Sequence, residues 1–211
     1  MQVYLLDLTA LRSDDVRCRA LDALPAWRRQ KVLSMSHPSA QEHRIGAGLL
    51  LSYGLRRAGV EPDTAVKTLP AGKPILVGRD NVWFSLSHSG LYALCAISDR
   101  PVGADIQEPR RTNLSIARRF CPDEQKFLSS LPESEREAAF FRLWTRKESW
   151  IKAASTDRML ALDEYSVLAC APPWRFRDYA LSGGYTAAVC AVRDDFPQEP
   201  AFLSIEDVLQ K

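Results

Sequence analysis

Residues 141–153 read Phe-Arg-Leu-Trp-Thr-Arg-Lys-Glu-Ser-Trp-Ile-Lys-Ala, and this stretch organises the interpretation of the whole chain. Residues four apart lie on one face of a helix, so Trp144, Glu148 and Lys152 form one stripe, with Lys147 beside it. An isolated Glu–Lys pair at this spacing is also common on solvated helices, where it contributes only about 0.2–0.5 kcal/mol. The tryptophan and the second lysine favour a site that handles phosphate, which needs a carboxylate for a metal ion and cations for developing charge.

Apolar periodicity predicts the elements that surround this stretch. The expected helices are Ser13 to Leu24, Ser39 to Arg57, Ser115 to Arg119, Pro122 to Ser130 and Glu133 to Ala154. The expected strands are Gln2 to Leu8, Val82 to Phe84, Tyr92 to Ile97, a run that ends at Ile106, Tyr165 to Cys170 and Ala187 to Val192, with a turn at Ser87 to Gly90. Helices followed by strands in each half of the chain predict an α+β fold.

A second carboxylate, Asp105, is expected near the end of the strand Val102-Gly103-Ala104-Asp105-Ile106-Gln107. Glycine two residues before the acid permits close approach of another backbone, and strand alternation places Asp105 and Gln107 on one face. Magnesium is typically bound by one or two carboxylates together with waters and substrate phosphates, so Asp105 and Glu148 would suffice. An aspartate that only caps a turn remains the alternative.

Polar turns supply further candidate ligands. Small hydroxyls, an imidazole and a glycine crowd the segment Ser87-His88-Ser89-Gly90, where exposed donors could hold a phosphate. A Ser–His hydrolase is disfavoured because the chain contains no G-x-S-x-G motif. The turn Gly72-Lys73-Pro74 offers another cation, but neither a P-loop nor a G-x-G-x-x-G dinucleotide motif is present.

Composition restricts the class of protein. The 211 residues are 46% hydrophobic and 26% charged, which is typical of a globular protein, and the net charge of +2 does not by itself indicate a nucleic-acid binder. Five cysteines form no C-x-x-C pair, the first residues include Asp7 and lack the basic region of a signal peptide, and no apolar run approaches the about 20 residues of a spanning helix. We therefore expect a cytoplasmic protein that binds neither nucleic acid nor membranes.

Arginine pairs and an internal similarity leave two questions open. Arg-Arg pairs occur at 28–29, 56–57, 110–111 and 118–119, and they could serve solubility or an acidic partner. The segments Leu94-Cys95-Ala96-Ile97 and Val189-Cys190-Ala191-Val192 are alike, and each follows a Ser-Gly turn. So short a match is compatible with coincidence as well as with duplication of the two halves.

In their order and spacing, these segments resemble the Sfp-type 4'-phosphopantetheinyl transferases, which activate peptide synthetases, polyketide synthases and siderophore assembly lines. The family pattern is a Lys-Pro turn, a Ser-His turn, G-x-D with an acid two residues later, and W-x-x-K-E-S/A-x-x-K. It appears here as Lys73-Pro74, Ser87-His88, Gly103-Ala104-Asp105-Ile106-Gln107 and Trp144 to Lys152.

The resemblance implies a fold and an activity. The fold would be two similar α+β halves, residues 1–103 and 104–211, packed as an intramolecular pseudo-dimer with coenzyme A in the cleft between them. The activity would be magnesium-dependent transfer of 4'-phosphopantetheine from coenzyme A to a serine of an acyl or peptidyl carrier protein, with release of adenosine 3',5'-bisphosphate. A monomer is expected, because the pseudo-dimer lies within one chain.

The resemblance also implies roles for individual residues, taken position by position. Asp105 and Glu148 are expected to bind magnesium, with Glu148 as the base and Lys152 at the reacting phosphate. The other expected contacts to coenzyme A are Lys73 and Pro74, Ser87 and His88 at the nucleotide 3'-phosphate, Lys147, and Arg44 with Arg28 or Lys31 at the adenine-phosphate end. The pairs Arg110-Arg111 and Arg118-Arg119 are candidates for docking an acidic carrier protein.

The chain departs from the family pattern at two places. Gln107 stands where many relatives have a third acid, so it would bind magnesium weakly or through water. Residues 153–159 lack the glycine-rich turn that is usual after the last lysine of the motif. The missing acid keeps open a non-catalytic module that binds coenzyme A or a carrier protein. A metal-dependent phosphohydrolase is a further alternative.

Overall fold

The computed structural model describes residues 1–110 and 114–210. The helices are α1 (Asp14–Asp22), α2 (Ala26–Leu33), α3 (Pro38–Arg57), α4 (Pro122–Ser130), α5 (Glu133–Ala154) and α6 (Ile205–Leu209). The strands are β1 (Gln2–Asp7), β2 (Val66–Thr68), β3 (Pro74–Leu76), β4 (Trp83–Ser89), β5 (Tyr92–Ser98), β6 (Val102–Gln107), β7 (Arg175–Ala180), β8 (Thr186–Ala191) and β9 (Ala201–Leu203). Short 3-10 helices occur at Thr9–Arg12, Leu114–Arg119 and Ser182–Gly184.

The predicted α+β class is confirmed, and α4 and α5 begin and end at the predicted residues. Proline at the first turn marks the start of α4, where the missing N–H has no intrahelical partner to lose. Among the described helices, none has the combined length and apolar character needed to cross a membrane.

Two local predictions are wrong. Residues 165–170 form turns rather than a strand, because the backbone N–H of the fully buried Val167 donates to the carboxylate of Glu124 at 2.8 Å. The turn predicted at Ser87 to Gly90 lies later in the chain, since β4 continues to Ser89. The reversal occurs at Gly90, whose φ of +52° suits a residue without a Cβ atom.

Two larger sheets share one connectivity. The first has the order β4-β5-β1-β9 and the second has the order β6-β8-β7. In the first sheet, β1 leads through α3 to the antiparallel hairpin β4-β5, and β5 pairs with β1. In the second sheet, β6 leads through α5 to the antiparallel hairpin β7-β8, and β8 pairs with β6. Cys95 lies on β5 and packs into the apolar cluster that contains α3. Cys190 lies on β8 and packs into the apolar cluster that contains α5. We propose on this basis that the halves are copies, as the similarity around the cysteines suggests.

The division between the halves needs a small adjustment. A boundary between Gly103 and Ala104 would cut β6, all of which belongs to the second sheet. We therefore propose that the second half begins at Val102, after the turn that follows β5.

The core has layers because the central strands are buried on both faces. On β1, Val3 and Leu5 join the cluster between the two sheets, whereas Tyr4 and Leu6 join the cluster under α3. A third cluster surrounds α5 and contains Cys190 of β8. Alternating residues thus enter different clusters, which explains why these strands read as nearly continuous apolar runs.

Gly103 lets α5 lie directly against β6. A Cβ atom at this residue would overlap the carbonyl oxygen of Ser149 and would lie 2.5 Å from the backbone nitrogen of Ala153. Both obstructing atoms belong to the α5 backbone, so a side-chain rotation could not relieve the clash. The close backbone approach predicted for this glycine is confirmed, and the approaching segment is the helix that carries Glu148 and Lys152.

We predict that Gly103→Ala lowers the free energy of unfolding by about 3 kcal/mol or more, because overpacking must push α5 away from β6. Gly59→Ala is the matched control. Gly59 has a φ of +70°, and a Cβ atom added to it would have no other atom within 4 Å, so its cost should be about 1–2 kcal/mol of backbone strain. Urea unfolding measures both values, and equal losses would contradict the packing argument.

Candidate active site

A cavity of about 470 Å³ is lined by residues from both halves of the chain. The first half contributes Trp27, Arg28, Lys31, Val32, Arg44, Val66, Thr68, Ala71, Gly72, Lys73, Pro74, Phe84, Ser85 and Leu86, and the second half contributes Glu148, Ile151, Lys152, Ser155 and Met159. Its volume is in the range of about 300–1,000 Å³ that is usual for small-molecule sites.

The wall from the first half is strongly cationic. Arg28 and Lys31 come from α2 and Arg44 from α3. Burial, reinforced by the nearby charge of Arg44, lowers the pKa of Arg28 to about 10, so the guanidinium remains charged at neutral pH. Cations gathered in a partly buried wall are suited to bind a ligand with several negative charges.

Asp105 lies in the second half within a dense group of hydrogen bonds. It is 3% exposed, and its Oδ1 accepts from Ser87 Oγ at 2.8 Å and from Lys152 Nζ at 2.7 Å. Its Oδ2 accepts from Gln107 Nε2 at 2.9 Å. The carboxylate is therefore tied to β4, to α5 and to its own strand, which fixes its orientation.

Glu148 lines the cavity one helical turn before Lys152. Burial raises the pKa of Glu148, the negative charge of Asp105 raises it further, and Lys152 acts in the opposite direction. The two carboxylates thus influence each other in the folded protein, with Lys152 hydrogen-bonded to one of them. A carboxylate with a raised pKa accepts a proton more readily than an ordinary glutamate.

Asp105, Glu148 and Gln107 supply part of the oxygen shell that the predicted magnesium ion would need. Within residues 1–110 and 114–210, no group of three or more His, Cys, Asp or Glu side chains is arranged to hold a metal ion. Asp105 and Glu148 supply carboxylate oxygens, and the amide group of Gln107 already contacts Asp105. Two carboxylates with an amide oxygen match the oxygen chemistry of Mg²⁺, which leaves waters and substrate phosphates to complete its shell.

His88 stacks on His43, with ring centroids 4.7 Å apart and an angle of 15° between the planes. Burial lowers the pKa of His88 to about 4, with further lowering by the charges of His43, Arg44 and Lys152. His43 Nε2 lies 2.8 Å from the carbonyl oxygen of Gly90 and therefore donates to it. His88 is neutral at pH 7, so it can offer a phosphate a hydrogen bond but not a full charge.

Lys73 reaches the cavity wall and also joins the two halves. Its ammonium donates to the carbonyl oxygens of Val102 and Ala153 at 3.2 and 3.3 Å. Burial lowers the pKa of Lys73 to about 8. Pro74, the other residue of the predicted Lys-Pro turn, lines the cavity and begins β3.

Two residues of the W-x-x-K-E segment lie away from the cavity. Lys147 is 0% exposed and pairs with Glu124 of α4 at 2.5 Å, while its ammonium also donates to the carbonyl oxygen of Leu162 at 2.6 Å. Trp144 packs on Phe120 and Phe140 in the cluster around α5. Successive residues of a helix point in directions about 100° apart, so Lys147 points away from the cavity that Glu148 lines. The expected contact of Lys147 with coenzyme A is therefore not supported by its position.

The motif pattern did not identify several residues of the cavity. Trp27 is 42% exposed, and the guanidinium of Arg28 lies 4.8 Å from its ring centroid. Met159 is 66% exposed and lies in the segment that replaces the glycine-rich turn. Helix α2, which carries Trp27, was not predicted. The sequence signal for this part of the cavity is a tryptophan directly followed by two arginines, Arg28 and Arg29.

The chain is similar to proteins that are named 4'-phosphopantetheinyl transferases. Residues 101–190 match the family model described as the 4'-phosphopantetheinyl transferase superfamily. The sequence is 28% identical to the 4'-phosphopantetheinyl transferase Sfp of Bacillus subtilis, over 99% of this chain and 100% of that protein. It is 35% identical to the 4'-phosphopantetheinyl transferase HetI of Nostoc sp., over 76% of each chain.

We predict that Lys147→Ala lowers the free energy of unfolding by about 3–5 kcal/mol, because it leaves the carboxylate of Glu124 buried without its cation. Lys126→Ala, at an exposed position of α4, should change stability by no more than about 0.5 kcal/mol. Thermal or urea unfolding compares the two variants. A loss for Lys147→Ala as small as that of the control would contradict its structural role.

Proposed function

Since the chain belongs to the 4'-phosphopantetheinyl transferase superfamily and is an enzyme of that family, we propose that it transfers 4'-phosphopantetheine from coenzyme A to a serine of an acyl or peptidyl carrier protein. The reaction would require Mg²⁺ and would release adenosine 3',5'-bisphosphate. One observation carries this proposal: Lys152 donates to Asp105 and lines the cationic cavity together with Glu148, which lies one helical turn before it.

The two walls of the cavity would bind different parts of coenzyme A. Arg28, Lys31 and Arg44 would hold the phosphates of the nucleotide, with His88 as a neutral donor at the 3'-phosphate. The diphosphate would lie toward Glu148 and Lys152 on the other wall. Lys73 and Pro74 would shape the nucleotide end, although the ammonium of Lys73 is mainly engaged with backbone carbonyls.

In the chemical step, the hydroxyl oxygen of the carrier serine would attack the phosphorus that bears the pantetheine arm. The new serine–phosphorus bond forms as the phosphorus–oxygen bond to adenosine 3',5'-bisphosphate breaks. A serine hydroxyl is a weak nucleophile, so Glu148 would take its proton, as its raised pKa favours. Lys152 would neutralise charge that develops on the phosphate oxygens.

Asp105, Glu148 and the amide oxygen of Gln107, directly or through water, are the residues that would hold Mg²⁺. The ion would supply positive charge to the diphosphate. With glutamine in place of a third acid, the site would carry one negative charge fewer than in relatives that have the acid. We expect the enzyme to act as a monomer, because both walls of the cavity come from one chain.

Mass spectrometry tests the reaction directly. Incubation of apo carrier proteins with coenzyme A and Mg²⁺ should add one phosphopantetheine group to a carrier serine, and Glu148→Gln should lower the rate at least about 100-fold while coenzyme A still binds. Glu133→Gln, at an exposed position of the same helix, is the matched control and should keep the parent rate.

Two other outcomes would replace the proposal. Release of free phosphopantetheine from coenzyme A without an acceptor would indicate a phosphohydrolase. Binding of coenzyme A without any transfer by the parent protein would indicate a non-catalytic module.

The carrier protein would dock on an arginine-rich surface of the second half. Arg118 and Arg119 end the 3-10 helix Leu114–Arg119 and are exposed. Arg118 also lines a second cavity of about 280 Å³ together with Arg136 and Leu128. Arg110 is exposed, and Arg111, the other predicted docking residue, lies outside the described residues. Carrier domains tend to be acidic, so charge complementarity would increase the association rate.

We predict that Arg118→Glu/Arg119→Glu lowers the modification rate at low salt about tenfold or more and removes most of its salt dependence. Arg175→Glu/Arg177→Glu makes the same charge change on the exposed face of β7 and is the control. Rates with a carrier protein are compared between low and high ionic strength. Equal behaviour of the two double variants would exclude this docking surface.

A further inference from the structure

Ser87 and His88 are adjacent in sequence but face opposite sides of β4. Alternation along a strand sends successive side chains to opposite faces. His88 stacks on His43 of α3, whereas Ser87 is 7% exposed and contacts β6. The two side chains therefore do not point toward one common ligand group, as they could from a shared turn.

Three serines on one face of β4, Ser85, Ser87 and Ser89, connect the first sheet to the second, and we call them the serine seam. The hydroxyl oxygens of Ser85, Ser87 and Ser89 accept from the backbone N–H groups of Ala104, Ile106 and Glu108 at 2.9, 3.4 and 3.0 Å, respectively. The seam satisfies two N–H groups of β6 and that of Glu108, the residue directly after the strand. Each serine thus has a structural partner.

Ser87 differs from the other two because its hydroxyl also donates to Asp105 Oδ1, at 2.8 Å. A serine hydroxyl has a single hydrogen to donate. Ionised phosphate oxygens are acceptors, so they too would require that hydrogen. Ser87 can hold Asp105 or donate to a phosphate, but it cannot do both at once.

We propose that Ser87 is a positioning residue whose hydroxyl orients the carboxylate of Asp105, and that this hydroxyl is not a ligand of the nucleotide phosphate. This inference rests on the proposed function, in which Asp105 is a magnesium ligand. Ser87 and Lys152 hold Oδ1 and Gln107 holds Oδ2, so three donors fix the plane of the carboxylate. Groups that orient a metal ligand in this way typically affect metal affinity about 10–100-fold.

The test separates the two roles through binding rather than through turnover. Mg²⁺ is titrated by calorimetry into protein saturated with coenzyme A in the absence of a carrier protein. Adenosine 3',5'-bisphosphate is titrated separately, with a chelator and no metal. Ser87→Ala should weaken Mg²⁺ binding about tenfold or more and leave the nucleotide affinity within about twofold of the parent value.

Ser89→Ala is the matched control, because it removes the same seam contact without touching Asp105. It should leave both affinities unchanged, and Ser87→Thr, which keeps a hydroxyl, should recover Mg²⁺ affinity. Weaker nucleotide binding with unchanged Mg²⁺ affinity in Ser87→Ala would overturn the proposal, as would an equal loss of Mg²⁺ affinity in Ser89→Ala. Failure of the proposed function would appear differently, as absence of transfer by the parent protein in the carrier assay.

Discussion

The contact of α5 with β6 across Gly103 is the constraint on which the rest of the site depends. The helix backbone lies where any side chain at residue 103 would be, so the two elements are closer together than a residue with a Cβ atom would allow. At that separation Lys152, four residues after Glu148 on the helix, donates to both the carboxylate of Asp105 and the carbonyl oxygen of Ala104. The wall of the cavity that carries Glu148 and Lys152 is therefore positioned by the missing Cβ atom of Gly103. The cationic wall comes from other helices, and Lys73 connects the two by donating to backbone oxygens on both β6 and α5.

Local sequence was sufficient where an element's own residues determine its limits. Helix α4 begins with Pro122 and α5 has a long apolar periodicity, so both were predicted to the residue. Strand β7 was missed because it is an edge strand with mostly exposed, polar residues. The segment near Val167 was mistaken for a strand because it is apolar, whereas its backbone donates a hydrogen bond to Glu124, which is distant in sequence. Long-range partners of this kind cannot be read from periodicity.

The same distinction applies to the site. Spacing along one helix correctly placed Glu148 and Lys152 together in the cavity. It could not show that Lys147, the residue beside them, turns toward α4 and neutralises a buried carboxylate. The resemblance to a known family supplied the motif but not the direction of each side chain. For Ser87 and His88, the direction depends on how far β4 extends, and that is decided by its pairing with β5 as far as Ser89.

The serine seam has a consequence for how the two sheets can slide past each other. Side chains alternate along β4, so a slip by one residue would present Leu86 and His88 to the polar edge of β6 in place of hydroxyls. Matching serines to N–H groups again would require a shift of two residues, or about 6.8 Å. A smaller shift would leave these N–H groups without their serine acceptors. The distance across the cavity, from Arg28 and Arg44 on one wall to Glu148 on the other, is therefore held at one value.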